Sequence, residues 1–382
     1  RYTEALELIK QENPFPAVCG RICPKKCEDA CTRGDIDEPL AIDDIKKFIA
    51  QQDLDASRRF IPKKRHDYKK KIAVVGAGPS GLSCAYYLAI DGYHVTVFEK
   101  NAILGGMLSL GIPAFRLERD VVQAEIDILK ELGIEFKTGI EVGKDITLQT
   151  LREQGYKAFY LAIGAQSGKK LGIEGEGCEG VITGVEFLNK VSLNPAEKLN
   201  KNVVVIGGGN VAIDVARTAT RTGADKVSLY CLEARQEMPA LLEEIEEAQA
   251  EKIEINNCWG PTRILSKEGK VTGVEFKKCL SVFDEQKRFN PVFDEQQTIV
   301  VKADTVLLSI GQAIDWGSLL VGSNVQLNKN NTAIADSFTL QSDEKDVFIG
   351  GDALTGPQFA IDAIAMGKQA SISIHRYVQP GQ

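Results

Sequence analysis

Short apolar runs that stop at glycine and give way to helical periodicity occur twice along the chain. Lys71-Ile72-Ala73-Val74-Val75 leads into Gly76-Ala77-Gly78-Pro79-Ser80-Gly81-Leu82, and Lys201-Asn202-Val203-Val204-Val205-Ile206 leads into Gly207-Gly208-Gly209-Asn210-Val211-Ala212. Each is followed by a second apolar run with an acidic end, His94 to Glu99 and Val227 to Glu233. Continuous apolar runs of this length predict strands buried on both faces, as parallel sheets require. Helical periodicity covers Glu118 to Leu132, Met238 to Glu251 and Phe359 to His375, the last preceded by Thr355-Gly356-Pro357 as a helix start. Ile134 to Thr138, Lys157 to Gly164, Ala303 to Gln312 and Asp346 to Asp352 read as further strands. Ile253-Glu254-Ile255, Arg263-Ile264-Leu265, Lys270 to Phe276 and Thr298 to Val301 alternate, and most of them read as antiparallel. Leu40-Ala41-Ile42 with Ile45, Phe48 and Ile49 predicts a helix with a core-facing stripe. Residues 53 to 70 are polar and basic with little periodicity, the pattern of a linker or surface crossing.

This pattern predicts an α/β fold with two Rossmann-like dinucleotide-binding units, the first from 71 to about 185 and the second from about 186 to 302. In the first turn Gly76 makes the bend, Gly78 lets the backbone approach a pyrophosphate, and Gly81 lets helix close on strand. Pro79 and Ser80 open the helix whose N-terminus favours anionic phosphates. Gly207, Gly209, Asn210 and Val211 repeat this arrangement, with Ala212 in the tolerant third-glycine place. Glu99, next to Lys100, and Glu233 are carboxylates placed to hold ribose hydroxyls. Gly105, Gly106, Gly164 and Gly311 allow close backbone approach to a ligand. Gly351 and Asp352 end a strand where a carboxylate can bond flavin ribityl hydroxyls. Two units imply two dinucleotides, and a flavin facing a nicotinamide gives hydride transfer, with the cofactors doing the chemistry.

Composition narrows the classes. The 382 residues carry a net charge of −7, which argues against nucleic acid or an anionic membrane surface as partner. No apolar run approaches a membrane span and no secretory signal stands at the start. The chain opens inside a helical pattern (Tyr2, Ala5, Leu6, Ile9), which predicts further chain upstream. Five of nine cysteines (Cys84, Cys178, Cys231, Cys258, Cys279) are scattered and read as small buried hydrophobes. Cys19, Cys23, Cys27 and Cys31 recur at every fourth residue, a soft-ligand set suited to an iron–sulfur cluster or zinc in a reducing cytoplasm. His66, His94 and His375 stand in unremarkable contexts, so no side chain is predicted to act as a catalytic acid or base. No Cys-x-x-Cys pair follows the first unit, which argues against disulfide-reductase chemistry.

Together, Cys19-Gly20-Arg21-Ile22-Cys23-Pro24, the turn from Val74 to Leu82, Gly111-Ile112-Pro113-Ala114-Phe115-Arg116-Leu117, the turn from Gly207 to Asp214, Glu237-Met238-Pro239-Ala240 and Gly350-Gly351-Asp352 resemble one family. It is that of the glutamate synthase small (beta) subunit. Its relatives include the NAD(P)H-side subunits of electron-bifurcating ferredoxin transhydrogenases and the N-terminal half of dihydropyrimidine dehydrogenase. The resemblance implies a helical iron–sulfur segment at 1–65 and a discontinuous FAD domain at 71–185 and 303–382. It implies an inserted NAD(P)H domain at 186–302. It implies [4Fe-4S] clusters held by the four clustered cysteines, and electron exchange with other subunits or ferredoxin. Relatives that prefer NADPH carry paired arginines after the tyrosine of the second strand. Here Cys231, Leu232 and Glu233 follow Tyr230, which favours NADH, while Arg235 is placed to serve NADPH. The family builds two clusters with cysteines further upstream, and some relatives complete one with a Gln or Glu where Lys46 and Lys47 stand here. The rival expectations are a diaphorase with zinc-bound cysteines and a non-catalytic nucleotide-binding subunit.

Overall fold

The computed structural model describes residues 1–199 and 201–380. The chain opens with α1 (Tyr2–Glu12), α2 (Pro16–Ile22), α3 (Lys26–Asp29) and α4 (Ile42–Leu54). Then come β1 (Lys71–Val75), α5 (Pro79–Asp91), β2 (His94–Glu99), α6 (Met107–Leu110), α7 (Arg119–Glu131), β3 (Glu135–Thr138), α8 (Leu148–Glu153) and β4 (Tyr156–Leu161). There follow β5 (Ser167–Gly168), β6 (Val181–Thr183), α9 (Gly184–Leu193), β7 (Asn202–Ile206), α10 (Asn210–Arg221), β8 (Lys226–Tyr230), α11 (Leu242–Ala250) and β9 (Glu254–Asn256). The chain continues with β10 (Trp259–Lys267), β11 (Lys270–Phe283), β12 (Phe289–Lys302), β13 (Thr305–Leu308) and β14 (Gln312–Ala313), and returns through β15 (Val347–Ile349), α12 (Asp352–Thr355) and α13 (Ala360–Val378).

Two compact units result, one of Arg1–Gln166 with Ile314–Gln382 and the other of Ser167–Ala313. The sequence placed these edges at 185/186 and 302/303. The difference arises because β6 and β13 pair with each other, and β13 with β7, so both strands belong to the second sheet.

In the first unit a parallel sheet runs in the order β15-β4-β1-β2-β3. β1 shows why both faces must be covered. Ile72 and Val74 join a core with residues of α5, α7 and α13, whereas Ala73 and Val75 join a second core with Leu148, Leu151 and Trp316. The second unit repeats the plan in the order β6-β13-β7-β8-β9. Val203 and Val205 face residues of α10 and α11, while Val204 and Ile206 face Ile264, Val274 and Phe276 of the antiparallel sheet β10-β11-β12. Tyr230 stacks on Phe276 there, with ring centroids 4.4 Å apart. In each sheet the strand order reverses beside the central strand, at β1/β4 and at β7/β13, and such switch points open the crevices where open α/β sheets bind ligands.

Three of the four alternating stretches form the antiparallel β10, β11 and β12, and Ile253-Glu254-Ile255 contributes β9, which is parallel to β8 and closes the second parallel sheet. One expectation is corrected. The apolar stripe of α4 faces outward: Ile45 is 57% and Phe48 51% exposed, while Asp43 on the opposite side is 3% exposed. The inner face is polar because it serves hydrogen bonds. Asp53 takes the N–H of Phe60 at 2.8 Å and the guanidinium of Arg59 at 2.6 Å, and Asp43 pairs with Lys46. Among the described residues no helix is long and apolar enough to cross a membrane.

Candidate nucleotide sites and the cysteine segment

The first turn is built by steric demand. Gly76 has φ +103°, and a Cβ there would stand 2.4 Å from the carbonyl oxygen of Ala162, at the end of the neighbouring β4. Only glycine fits both the left-handed backbone and that approach. Gly78 caps α5, Pro79 occupies the helix's first position, and a Cβ on Gly78 would meet nothing within 4 Å. The helix start is thus left open, an arrangement that suits an anionic phosphate. Glu99 is buried, and its Oε2 accepts the N–H of Ala77 at 2.9 Å. Its Oε1 accepts both the backbone N–H and the side-chain amide of Asn101, at 2.9 and 2.8 Å. A cleft lined by Gly76, Glu99, Lys100, Val142, Ile163 and Trp316 lies alongside.

The structure brings several other predicted residues to this turn. Gly105 donates to the carbonyl of Ala77 at 2.9 Å, and Gly106 lies so close that its Cβ would be 2.8 Å from Cα of Gly78. A Cβ on Gly351 would be 3.0 Å from Cβ of Ser80, whose hydroxyl shares a 2.7 Å hydrogen bond with Tyr160. Gly164 follows β4 with its Cβ position open. Asp352 opens α12, and burial pushes its carboxyl up to about 6, with the N–H of Gln358 as a 3.2 Å partner. A half-buried carboxyl with one backbone donor retains acceptor capacity for ligand hydroxyls. The turn at Gly111-Ile112-Pro113 stands apart in role, since Arg119 binds the carbonyls of Leu108 and Ile112 at 2.7 and 2.9 Å and so anchors it structurally.

The second turn repeats the first turn's constraint. Gly207 has φ +140°, and a Cβ there would stand 2.3 Å from the carbonyl oxygen of Ser309, beyond the neighbouring β13. Gly209 caps α10, Asn210 accepts the N–H of Leu241 at 2.9 Å, and Val211 packs on the helical core. The carboxylate of Glu233 lies over the turn, with Oε2 2.7 Å from where a Gly208 Cβ would be, and burial raises its pKa. Two buried polar atoms here lack hydrogen-bond partners, Ser309 Oγ and Arg235 Nη1; the other terminal nitrogen of Arg235 reaches Gln249 at 3.0 Å. Such atoms at a switch point suit a polar ligand. Gly311 follows β13, where its carbonyl accepts the N–H of Lys169 at 3.0 Å.

Sequence reading missed four contributors: Asn101, Tyr160, Gln358 and the segment Met238 to Ala240. Ala240 donates to the carbonyl of Gly208 at 3.2 Å, so the Glu237-Met238-Pro239-Ala240 motif braces the turn. The motif was visible in the sequence; Tyr160 needed the strand register, and Asn101 and Gln358 needed the local turn geometry.

The cysteine segment is seated on α7. Lys10 and Glu125, both buried, pair at 2.9 Å; Glu125 also accepts the N–H of Ala17 at 3.1 Å and lies 3.7 Å from Arg59. Cys19 is buried on α2, its thiol pushed up to about 12 by burial, with Asn13 Oδ1 3.7 Å from Sγ. Cys23 caps α2, Cys27 is exposed on α3, and Cys31 follows it half-buried. The donor chemistry suits a soft metal centre, but the four thiols do not converge. Among the described residues no group of three or more His, Cys, Asp or Glu side chains is arranged to hold a metal.

Two family models match the chain. A family model described as pyridine nucleotide-disulphide oxidoreductase matches residues 67–367, and one described as dihydropyrimidine dehydrogenase domain II, 4Fe-4S cluster, matches residues 1–58. The beta subunit of NADP(+)-dependent formate dehydrogenase from Moorella thermoacetica is 36% identical over 100% of this chain and 57% of its own length. The beta subunit of NADPH-Fe(3+) oxidoreductase from Geobacter sulfurreducens is 34% identical over 100% of this chain and 61% of its own, so the chain spans under two thirds of either relative. The small chain of glutamate synthase [NADPH] from Escherichia coli is 32% identical over 99% of this chain and 84% of its own. Among solved structures, FprA of Mycobacterium tuberculosis in complex with NADPH superposes with a TM-score of 0.68 at 18% identity, covering 81% of this chain and 85% of that one. Thioredoxin reductase of T. acidophilum gives 0.59 at 19% identity, covering 80% and 98%. At these identities the structures speak for the fold alone.

Proposed function

The chain belongs to the pyridine nucleotide-disulphide oxidoreductase family, in the branch that holds the glutamate synthase small chain, and from that premise we propose that it is the NAD(P)H-side subunit of an electron-transfer complex. It is a FAD-dependent NAD(P)H oxidoreductase with an iron–sulfur-type N-terminal domain. The finer assignment is that the first unit takes FAD, the second takes the nicotinamide nucleotide, and electrons pass to or from another subunit or ferredoxin. The observation that carries it is the repeated turn, Gly76 against Ala162 and Gly207 against Ser309, each with a carboxylate, Glu99 or Glu233, at the end of the next strand.

When bound, the flavin and the nicotinamide supply the hydride chemistry. The protein's part is placement, which is worth a large share of the barrier when two rings must meet. Glu99 is held by Ala77 and Asn101 so that its remaining lone pairs face a ribose. Asp352 and the N-terminus of α5 fix the other end of the flavin nucleotide. Glu233 over Gly208 favours a free 2′-hydroxyl, and we assign NADH as the preferred donor on that ground. The buried, unpartnered Nη1 of Arg235 favours the second reading, NADPH. Cys19, Cys23, Cys27 and Cys31 are assigned as iron–sulfur ligands on their chemistry and on the 4Fe-4S domain match; since the thiols are not gathered, no route through a cluster is derived.

Anaerobic rapid mixing of the flavin-loaded protein with NADH and with NADPH tests the reading. Bleaching of flavin absorbance, faster with NADH, is expected. Bleaching by neither nucleotide removes the assignment, and faster bleaching by NADPH reverses the choice of donor. Glu233→Arg should shift preference toward NADPH by about tenfold or more, because a guanidinium bonds the 2′-phosphate where a carboxylate repels it.

A further inference from the structure

Three of the scattered cysteines meet around Glu233. Cys231 lies just beyond β8, buried; Cys258 is half-buried between β9 and β10; Cys279 is buried in β11. The carbonyl oxygen of Glu233 gathers the N–H of Cys258 at 3.2 Å, the side-chain amide of Asn257 at 3.1 Å and the Sγ of Cys231 at 3.6 Å. Cys258 and Cys279 stand opposite each other. The β10–β11 register pairs Trp259 with Lys278, and one position further the N–H of Cys279 donates to the carbonyl of Cys258 at 2.9 Å. Of the two backbone bonds that a full antiparallel pair exchanges this pair makes one, since the N–H of Cys258 goes to Glu233, while Sγ of Cys279 rests 3.3 Å from the carbonyl of Ser281. A full pair has Cα atoms about 5.5 Å apart, within the roughly 4.4–6.8 Å that a disulfide spans. Cys258 holds a left-handed φ of +62°, uncommon for a residue with a side chain, and is kept there by its bonds to Glu233 and Cys279.

We propose that Cys258 and Cys279 form a modification site, a dithiol that closes to a disulfide by exchange with a low-molecular-weight disulfide and so loosens the nucleotide turn at Gly207–Gly209. The half-buried Cys258 is the thiol that an external disulfide reaches, whereas burial holds Cys279 protonated until its partner is activated. In the first step the Cys258 sulfur attacks the external disulfide, forming a mixed disulfide and releasing one small thiol. In the second, Cys279 attacks Cys258 Sγ, forming the internal S–S bond and releasing the second small thiol. The two electrons and both protons leave on the two small thiols. Closing the bond draws Cys258 toward β11 and takes its N–H from Glu233, whose carboxylate lies over Gly208. The consequence for binding rests on the reading of the second unit as the nicotinamide site.

The test equilibrates the flavin-loaded chain anaerobically with mixtures of reduced and oxidised glutathione, maps disulfide-linked peptides, and measures binding of NADH and NADPH. A Cys258–Cys279 link that dithiothreitol reverses is expected, with nucleotide binding about tenfold weaker in the linked form, a usual size for coupling between two sites. Cys258→Ser and Cys279→Ala should each abolish the link and keep tight binding in oxidised glutathione. Absence of the link, a link from Cys258 to Cys231 instead, or the link with unchanged affinity overturns the proposal. If the reduced protein binds neither nucleotide, the reading of the second unit falls, while peptide mapping still decides whether the thiol pair exists.

Discussion

The backbone N–H of Ala77 donates to Oε2 of Glu99 at 2.9 Å, which ties the end of β2 to the turn that ends β1 before any ligand arrives. With Asn101 on the other oxygen, three donors depend on one buried carboxylate. Glu99→Ala removes the acceptor of all three; the donors of the half-buried Asn101 can turn to water while the buried N–H of Ala77 cannot, so the flavin-free protein should lose about 1–3 kcal/mol. Denaturant unfolding of the flavin-free form, together with flavin retention on gel filtration, checks it. A variant as stable as its parent would show the carboxylate to be structurally idle.

The two turn glycines allow the units to be addressed separately. A methyl at Gly76 meets the carbonyl of Ala162, and one at Gly207 meets that of Ser309, both backbone atoms that cannot step aside. Each alanine variant should lose more than about 1 kcal/mol of stability. Gly76→Ala should lose flavin, whereas Gly207→Ala should keep it and lose nicotinamide-nucleotide binding. Flavin absorbance and nucleotide titration on both variants read this out; the reverse pattern would exchange the ligands of the two units.

Asp352 carries a pH signature. Its carboxyl is pushed up to about 6 by burial, above the ordinary ~3.9 of an unfolded chain. Below about pH 4 the group is protonated in both states. Between about pH 4 and pH 6 the unfolded chain ionises and the folded one resists, so stability falls as pH rises through that window. Asp352→Asn should therefore leave stability near pH 4 unchanged and raise it by about 2–3 kcal/mol at pH 7 in the flavin-free protein. Unfolding curves across the window are the measurement, and parallel curves for the two proteins would refute the assignment.

Lys10→Met should be costly although it removes no apolar group. Glu125 would remain buried with Arg59 3.7 Å away as its charged neighbour, and breaking one side of a buried pair costs about 3–5 kcal/mol. Hydrogen exchange should rise first across residues 1–22, ahead of the first sheet. Uniform protection in the variant would mean that the pair contributes little to seating that segment.

Much of this was legible in the chain. Glycine turns leave a sequence mark because a left-handed φ and a carbonyl in the way of Cβ exclude other residues, and Gly76 and Gly207 satisfy both conditions. The outward stripe of α4 was misread because periodicity tells which face is apolar, not which face is covered. There the covered face belongs to Asp43 and Asp53 for their hydrogen bonds. Tyr160 carries no local signal, since it meets Ser80 only when separate segments align, whereas Asn101 and Gln358 bond carboxylates two and six positions away through turns whose geometry no residue pattern marks. The convergence of Cys231, Cys258 and Cys279 was hidden likewise, since residues scattered along the chain meet only through the register of β10 and β11.

The junction of Lys10, Ala17 and Arg59 on Glu125 makes the opening helices a docked part of the first unit rather than a module on a string. Their reach toward the Gly76 turn is therefore set by side-chain packing, so lengthening the polar crossing at residues 55 to 70 would not let them roam. A protease that cuts the polar crossing should therefore leave the opening helices bound to the first unit, held by the buried contacts to Glu125.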